Sequence, residues 1–358
     1  MPELRKHERL QLTPRALQLR ASTIVRGFGC AIAALLTTGC ITVDLLGGGP
    51  SAELVESVVR GESGPKILLV EIDGVIDGSV EADTLFGIHE YSMVARVREV
   101  LDAARADPEV RALLLRIDSP GGTATASEQI YTEILRFREE RGIPVVAQFL
   151  STATSGGYYI AMAADTVQAH PTSITGSIGV LFSSVNVAGL MEKIGVEDQT
   201  ITGGIHKDAG SPYRRLSPVE RAQLQTIVDD LHLRFQEIVD RGRPDLTPEE
   251  ITPLADGRIF SAPQALDNGL IDRIGTLEDA VTEIESRLRV RSSRVVSYHR
   301  PREIRRNLYT QAGGQPSLGA GGAALSGEVW ALKQLGRILG RPGFHYLWWP
   351  GASTSLLP

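Results

Sequence analysis

Ser155 stands after the strand-like run PVVAQFL (144–150) and before the small-residue helical run YYIAMAA (158–164), and two glycines follow it directly. A serine at a strand-to-helix turn is placed for nucleophilic attack. The helix start offers unpaired N–H groups and a positive dipole end, which suit a developing alkoxide or oxyanion. Gly156 and Gly157 let the backbone bend sharply and let a substrate come close. The logic is that of a nucleophile elbow, although the pattern G-x-S-x-G is absent. By itself, serine before Gly-Gly also reads as an ordinary helix cap. A second Gly-rich turn, SPGG (119–122), follows the apolar run ALLLRI (112–117). Backbone N–H groups from Gly122 and Gly156 are candidates for an oxyanion hole, where the loss of one donor costs about 3 kcal/mol of barrier lowering. In isolation SPGG also reads as a simple turn.

A serine nucleophile needs a base. The histidines are His7, His89, His170, His206, His232, His299 and His345, and none stands in a triad-like context, except that His206 adjoins Lys207. Lysine usage is more telling: five lysines stand against thirty-two arginines. Arginine cannot give up its proton, whereas a desolvated lysine can. Lys207, in the loop ITGGIHKDAGSP, is therefore the candidate general base, with a solvated surface lysine as the alternative reading.

The elements that must hold these groups are set by periodicity. Lys66 to Ile72 forms a short apolar strand. Met93, Val97, Val100, Leu101 and Ala104 recur at helical spacing and predict an amphipathic helix over 92–106, closed by Asp107-Pro108. ALLLRI reads as a strand buried on both faces. Helices are predicted over 124–141, over 217–242 with a cap at Ser217-Pro218-Val219-Glu220, and over 276–289. The alternation of strand, turn and helix implies an α/β architecture. Residues 47–65 read as a linker, and 151–157 as a turn. Beyond about 300 come a Gly-rich run (313–327), an apolar helix near 328–340 and the apolar end FHYLWWP; the role of 291–358 is open.

Of the 358 residues, 42% are hydrophobic and 22% charged, the profile of a folded protein with a large core. The net charge is −6, but residues 1–26 hold six basic side chains against Glu3 and Glu8, so the remainder is near −10. An acidic body argues against nucleic acid as a partner. Both cysteines, Cys30 and Cys40, lie in the N-terminal segment, which excludes a cysteine nucleophile, a thiolate metal site and a disulfide in the body. Residues 27–43 carry no charge and come after the basic stretch, a signal-sequence or membrane-anchor layout. LLTTGC ends at Cys40, a lipidation candidate, with Thr37 where such sites usually carry Leu. Lipoprotein and uncleaved anchor both remain open, as does a buried helix of a cytosolic protein. The charge asymmetry would place the chain beyond residue 44 outside the cytoplasm.

Four stretches together resemble the signal peptide peptidase A (SppA) family of Ser-Lys serine peptidases, in its short, single-domain form. They are VRALLLRIDSPGG (110–122), ATSGGYYIAMAADTVQAHPTSITGSIGV (153–180), ITGGIHKDAGSPYRRLSPVE (201–220) and DGRIFSAPQALDNGLIDRIG (256–275). The similarity runs over about 66–290. It implies a ClpP/crotonase-like α/β spiral of repeated β-β-α units with additional C-terminal helices. It gives Ser155 the nucleophile's role, Lys207 the base's, Gly122 and Gly156 the oxyanion N–H groups, and Ser177 the orientation of the lysine. Thr154 stands where the family commonly has Ala. The resemblance further implies a homo-oligomeric ring whose neighbours complete each site, on the periplasmic side of a bacterial inner membrane. The expected substrates are remnant signal peptides or other short apolar segments, and no metal or organic cofactor is required. A neutral, desolvated Lys207 would make activity rise with pH. Two other readings share the architecture or the location: a crotonase-like hydratase or isomerase of CoA thioesters, and a catalytically silent membrane scaffold.

Overall fold

The apolar runs become the centre of a parallel sheet. The structure, a computed structural model, describes residues 53–78, 81–83, 88–90, 92–301, 303, 305–310 and 343–348. Chain order begins with β1 (Val55–Arg60), β2 (Lys66–Asp73), β3 (Glu81–Asp83), β4 (Ile88–Glu90), α1 (Met93–Ala106), β5 (Val110–Ser119), β6 (Gly121–Thr123) and α2 (Ala124–Arg141). Then come β7 (Val145–Thr154), α3 (Gly156–Ala161), β8 (Thr166–Ala169), β9 (Ile174–Gly176), β10 (Leu181–Ser183), α4 (Ala188–Ile194), α5 (Pro218–Gly242) and α6 (Pro248–Leu254). The described elements end with β11 (Ile259–Ser261), α7 (Ala262–Asp267), β12 (Arg273–Ile274), α8 (Leu277–Leu288), β13 (Arg294–His299) and β14 (Gly343–Leu347).

The main sheet has the order β1-β13-β2-β5-β7-β8-β12, with β9 beside β7 and β11 beside β9. Its centre is parallel and covered on both faces, which explains the unbroken apolar runs of β2 and β5. Leu68, Val70, Leu113, Leu115 and Ile117 point to one face, under α1, α2 and α3. Ile67, Leu69, Ala112 and Leu114 point to the other, under Leu277, Ala280, Val281 and Ile284 of α8. The five periodic residues of α1 are all buried. Each contributes on the order of 1–3 kcal/mol by leaving water. Ser217 and Glu220 form the expected capping box at the start of α5. The expected α/β class holds: β5, β6 and α2 make one β-β-α unit, and α5 to α8 are the further helices toward the C-terminus.

Near the C-terminal end of β5 a polar row crosses the second face. Arg116 is fully buried and donates to Glu71 (2.7 Å), Asp73 (2.8 Å) and the Leu308 carbonyl (2.6 Å). Burial pushes the Glu71 carboxyl above its ordinary value, although Arg116 and Arg305 oppose that shift. This clamp holds the end of β5 from which SPGG departs.

Three expectations about boundaries need correction. Within 47–65, read as a linker, Val55–Arg60 is a strand that pairs antiparallel with β13. It lies at the sheet edge, and only Val59 of its six residues is buried, so it carries little hydrophobic signal. For the same reason the body does not end at 290, because β13 sits between β1 and β2. Finally, β7 runs on through the small polar residues 151–154, where β9 pairs with it. The N-terminal segment with Cys40, the run 313–327 and the helix expected near 328–340 lie outside the described residues. Among the described residues no helix is long and apolar enough to cross a membrane.

Candidate active site

Ser155 joins the end of β7 to the start of α3. Its N–H donates to the Gly176 carbonyl on β9 (2.8 Å), and its own carbonyl accepts from Tyr159 N–H (2.8 Å), closing the first turn of α3. Between these two restraints the residue is forced to φ 52° and ψ −115°. That is the conformation of the first central residue of a type II′ turn, normally reserved for glycine. Strain of this kind costs about 1–3 kcal/mol and survives only where its surroundings impose it. Ser155 is 1% exposed, and its Oγ has no hydrogen-bond partner among the described residues. A buried, unpaired hydroxyl on strained backbone is the arrangement the nucleophile reading calls for. Ser155→Gly should relax the turn: its midpoint of thermal unfolding should lie above that of Ser155→Ala by the equivalent of about 1 kcal/mol. Calorimetry of the two variants checks this, and equal midpoints would mean the turn is unstrained.

The Gly-rich turn after β5 lies against this elbow. Ser119 Oγ donates to the Gly74 carbonyl (2.6 Å) and accepts from Gly121 N–H (3.0 Å). Ile76 then takes one edge of β6: its N–H donates to Gly121 (2.9 Å) and its carbonyl accepts from Thr123 (2.9 Å). The polar groups of Gly122 therefore face the opposite way. A side chain at Gly122 has no room, since its Cβ would lie 1.9 Å from the Ile76 carbonyl oxygen. A Cβ on Gly121, whose φ is +98°, would lie 2.8 Å from the Gly156 nitrogen. The two stretches thus meet backbone to backbone. Gly156 opens α3, where the first N–H groups have no intrahelical acceptor.

Ser177 follows β9 directly and also has a positive φ of 52°. Its N–H donates to the Arg258 carbonyl (2.7 Å), and it lines an open cavity of about 400 Å³ with Leu181, Gly257, Leu347 and Trp348. Ser155, Gly122, Gly156 and Ser177 therefore come together around the ends of β5, β7 and β9. Lys207 does not join them within the chain. It is exposed in the loop between α4 and α5, where its N–H donates to the Gly204 carbonyl (3.2 Å). Ile201 and Ile205 in the same loop are 97% and 86% exposed.

Several residues at this site escaped the sequence reading. Tyr159, on α3, donates its hydroxyl to Glu128, which is held in turn by Arg234 (2.8 Å). Burial would raise the Glu128 carboxyl, but Arg234 and the tyrosine hydroxyl hold it below its ordinary value. His345 and Tyr346 arrive on β14, between β10 and β6. Both ring nitrogens of His345 are buried without a hydrogen-bond partner among the described residues. Burial keeps its pKa below the usual histidine value, against the pull of Asp77. The aromatic run FHYLWW was the one available signal, but sequence spacing does not say which strands it joins. Among the described residues no cluster of His, Cys, Asp and Glu is arranged to hold a metal.

Residues 138–291, which contain Ser155, Ser177 and Lys207, match the model of peptidase family S49. A putative signal peptide peptidase SppA of Enterococcus faecium is 35% identical over 243 residues, 68% of this chain and 70% of that protein. A putative protease of Synechocystis is 45% identical over 185 residues, 51% of this chain and 66% of that one. Protease 4 of Haemophilus influenzae is 34% identical over 234 residues, 64% of this chain and 36% of the relative. With a strained serine at the head of a short helix and a Gly-rich turn packed against it, this chain belongs to peptidase family S49 as an SppA-type serine peptidase.

Proposed function

We propose that the chain is an endopeptidase that hydrolyses short apolar peptides, signal peptide remnants among them, through Ser155 and Lys207. The observation that carries this reading is the buried hydroxyl of Ser155, unpaired among the described residues, on strained backbone next to Gly156 N–H, with the Gly-rich turn that carries Gly122 N–H packed against Gly156. In the first half-reaction, neutral Lys207 takes the Ser155 proton as Oγ adds to the peptide carbonyl. The two N–H groups hold the oxyanion. The protonated amine then gives its proton to the leaving nitrogen, and an ester on Ser155 remains. Water attacks that ester by the same route, with Lys207 again as base, and frees the acid.

Within one chain Lys207 is solvated, and Ser155 Oγ has no base among the described residues. The reading therefore supplies the lysine from a neighbouring copy in a homo-oligomeric ring. The exposed Ile201 and Ile205 beside Lys207 support this, since bare isoleucines on a loop gain by burial against a partner. Ser177 orients the incoming amine. We place the ring at the periplasmic face of a bacterial inner membrane, anchored through the segment that ends near Cys40. An alkyl fluorophosphonate tests the assignment: it should phosphonylate Ser155, identified by peptide mass spectrometry. Labelling at another serine, or none in an actively hydrolysing preparation, would remove Ser155 from the mechanism.

A further inference from the structure

Lys207 stands in a run of tight turns. Its N–H donates to the Gly204 carbonyl (3.2 Å), Ala209 N–H to the His206 carbonyl (3.2 Å) and Ser211 N–H to the Asp208 carbonyl (2.9 Å). Exposed turns that bury little apolar surface open easily. With Ile201 and Ile205 in solvent, no core fixes this part of the loop. A general base must nevertheless be placed within a fraction of an ångström, so polar bonds have to supply the placement.

The C-terminal half of the loop is tied to the segment that joins β10 to α4. Ser184 Oγ donates to the Gly210 carbonyl (3.0 Å), Val187 N–H to the Pro212 carbonyl (2.7 Å) and Asn186 Nδ2 to the Arg214 carbonyl (2.5 Å). The Arg214 side chain then reaches back along the loop. Its Nε donates to Asp208 Oδ2 (2.6 Å) and its Nη2 to Asp208 Oδ1 (2.8 Å). The same guanidinium donates from Nη1 to Glu220 Oε2 (2.9 Å) and from Nη2 to Glu220 Oε1. Glu220 is 2% exposed and belongs to the capping box of α5: its N–H donates to Ser217 Oγ (3.2 Å), and its Oε2 accepts from Ser217 N–H (2.9 Å). A planar guanidinium can fork to two carboxylates at once, which an ammonium cannot do. Arg214 holds both carboxyls below their ordinary values, so both stay ionised wherever a lysine can serve as a base.

We infer that Arg214 is a positioning residue for the base: it locks Asp208 to the start of α5 and thereby fixes the backbone that presents Lys207, the preceding residue. The inference rests on the reading of Lys207 as general base. The fork has a second consequence. Both oxygens of Asp208 are engaged by Arg214, so the carboxylate that adjoins the lysine in the chain is committed elsewhere and does not compete with Ser155 for its amine. A base displaced by about 1 Å can cost on the order of 10² in rate. Lys207 moves protons and does not hold the peptide, so the loss falls on kcat and not on KM.

Asp208→Ala, Arg214→Ala and the double variant of the full-length chain are assayed on a fluorogenic apolar peptide. Each single change should lower kcat at least tenfold and leave KM within twofold. The double variant should lose no more than the worse single one, because both changes open the same link. Losses that multiply would mean that the two side chains act separately, and would overturn the inference. Arg214→Ala leaves the buried Glu220 without its cation and can unfold the start of α5. Asp208→Ala leaves that pair in place and decides alone: wild-type kcat in Asp208→Ala overturns the inference. A second measurement needs no turnover. In the full-length Ser155→Ala chain, amide hydrogen exchange over 204–211, read by mass spectrometry, should quicken at least tenfold when Asp208→Ala is added, while α5 beyond Gln225 exchanges as before. Unchanged exchange over 204–211 would also overturn it. Lys207→Ala, assayed alongside, separates the two readings. If it is silent while Asp208→Ala keeps its kcat, the dyad stands and the positioning role falls. If it turns over normally, the dyad falls and takes the positioning role with it.

Discussion

Ser155→Ala should abolish peptide hydrolysis and leave the fold intact. Removing a serine nucleophile costs on the order of 10⁶ in kcat, because the remaining N–H groups can only polarise a carbonyl that nothing attacks. The stability effect should be small, within about 1 kcal/mol, since a hydroxyl without a partner among the described residues orphans no donor or acceptor there when it is removed. A fluorogenic apolar peptide and a thermal melt measure the two halves of this expectation. Turnover above a hundredth of the wild-type rate would move the nucleophile elsewhere. A collapse in stability would show instead that the hydroxyl serves the fold.

Mixing two inactive variants should restore activity. Lys207→Ala retains the serine and Ser155→Ala retains the lysine, and each alone should be silent. If the base comes from the next copy in a ring, random co-assembly in equal amounts gives about a quarter of the sites one intact residue from each neighbour. Activity should then return to about a quarter of wild type. The mixture is prepared by dissociating and reassembling the two proteins together, and by co-expression as a control for incomplete exchange. A mixture that assembles but stays silent would place serine and lysine on the same chain. That outcome would require the loop carrying Lys207 to fold inward, carrying the exposed Ile201 and Ile205 with it.

Much of this arrangement was legible in the residues. The periodicity over 92–106 named the five side chains that α1 buries, because a helix on a sheet has one wet face and one dry face. The unbroken apolar run in β5 announced a strand covered twice, and α1 and α8 provide the covers. Ser155 could be singled out because strand, serine, Gly-Gly and helix are contiguous, so the local chain alone defines the elbow. The same is true of the Gly-rich turn after β5. Val55–Arg60 was not legible as a strand: an edge strand with one sheet neighbour is half wet, and its pattern is that of a polar connector.

Local sequence determined the elements, the position of Ser155 at a strand-to-helix turn and the glycines packed beside it, because each depends on neighbours a few residues away. Only the tertiary structure decided that β14, far along the chain from the Gly-rich turn, lies on that turn with the Tyr346 ring against Tyr159. It likewise decided that Lys207 stays in solvent within one chain. The reason is the same in both cases. Contacts between segments distant in sequence are chosen by competition among free sheet edges and exposed apolar surfaces, and no short-range pattern of residue types encodes which edge or surface wins.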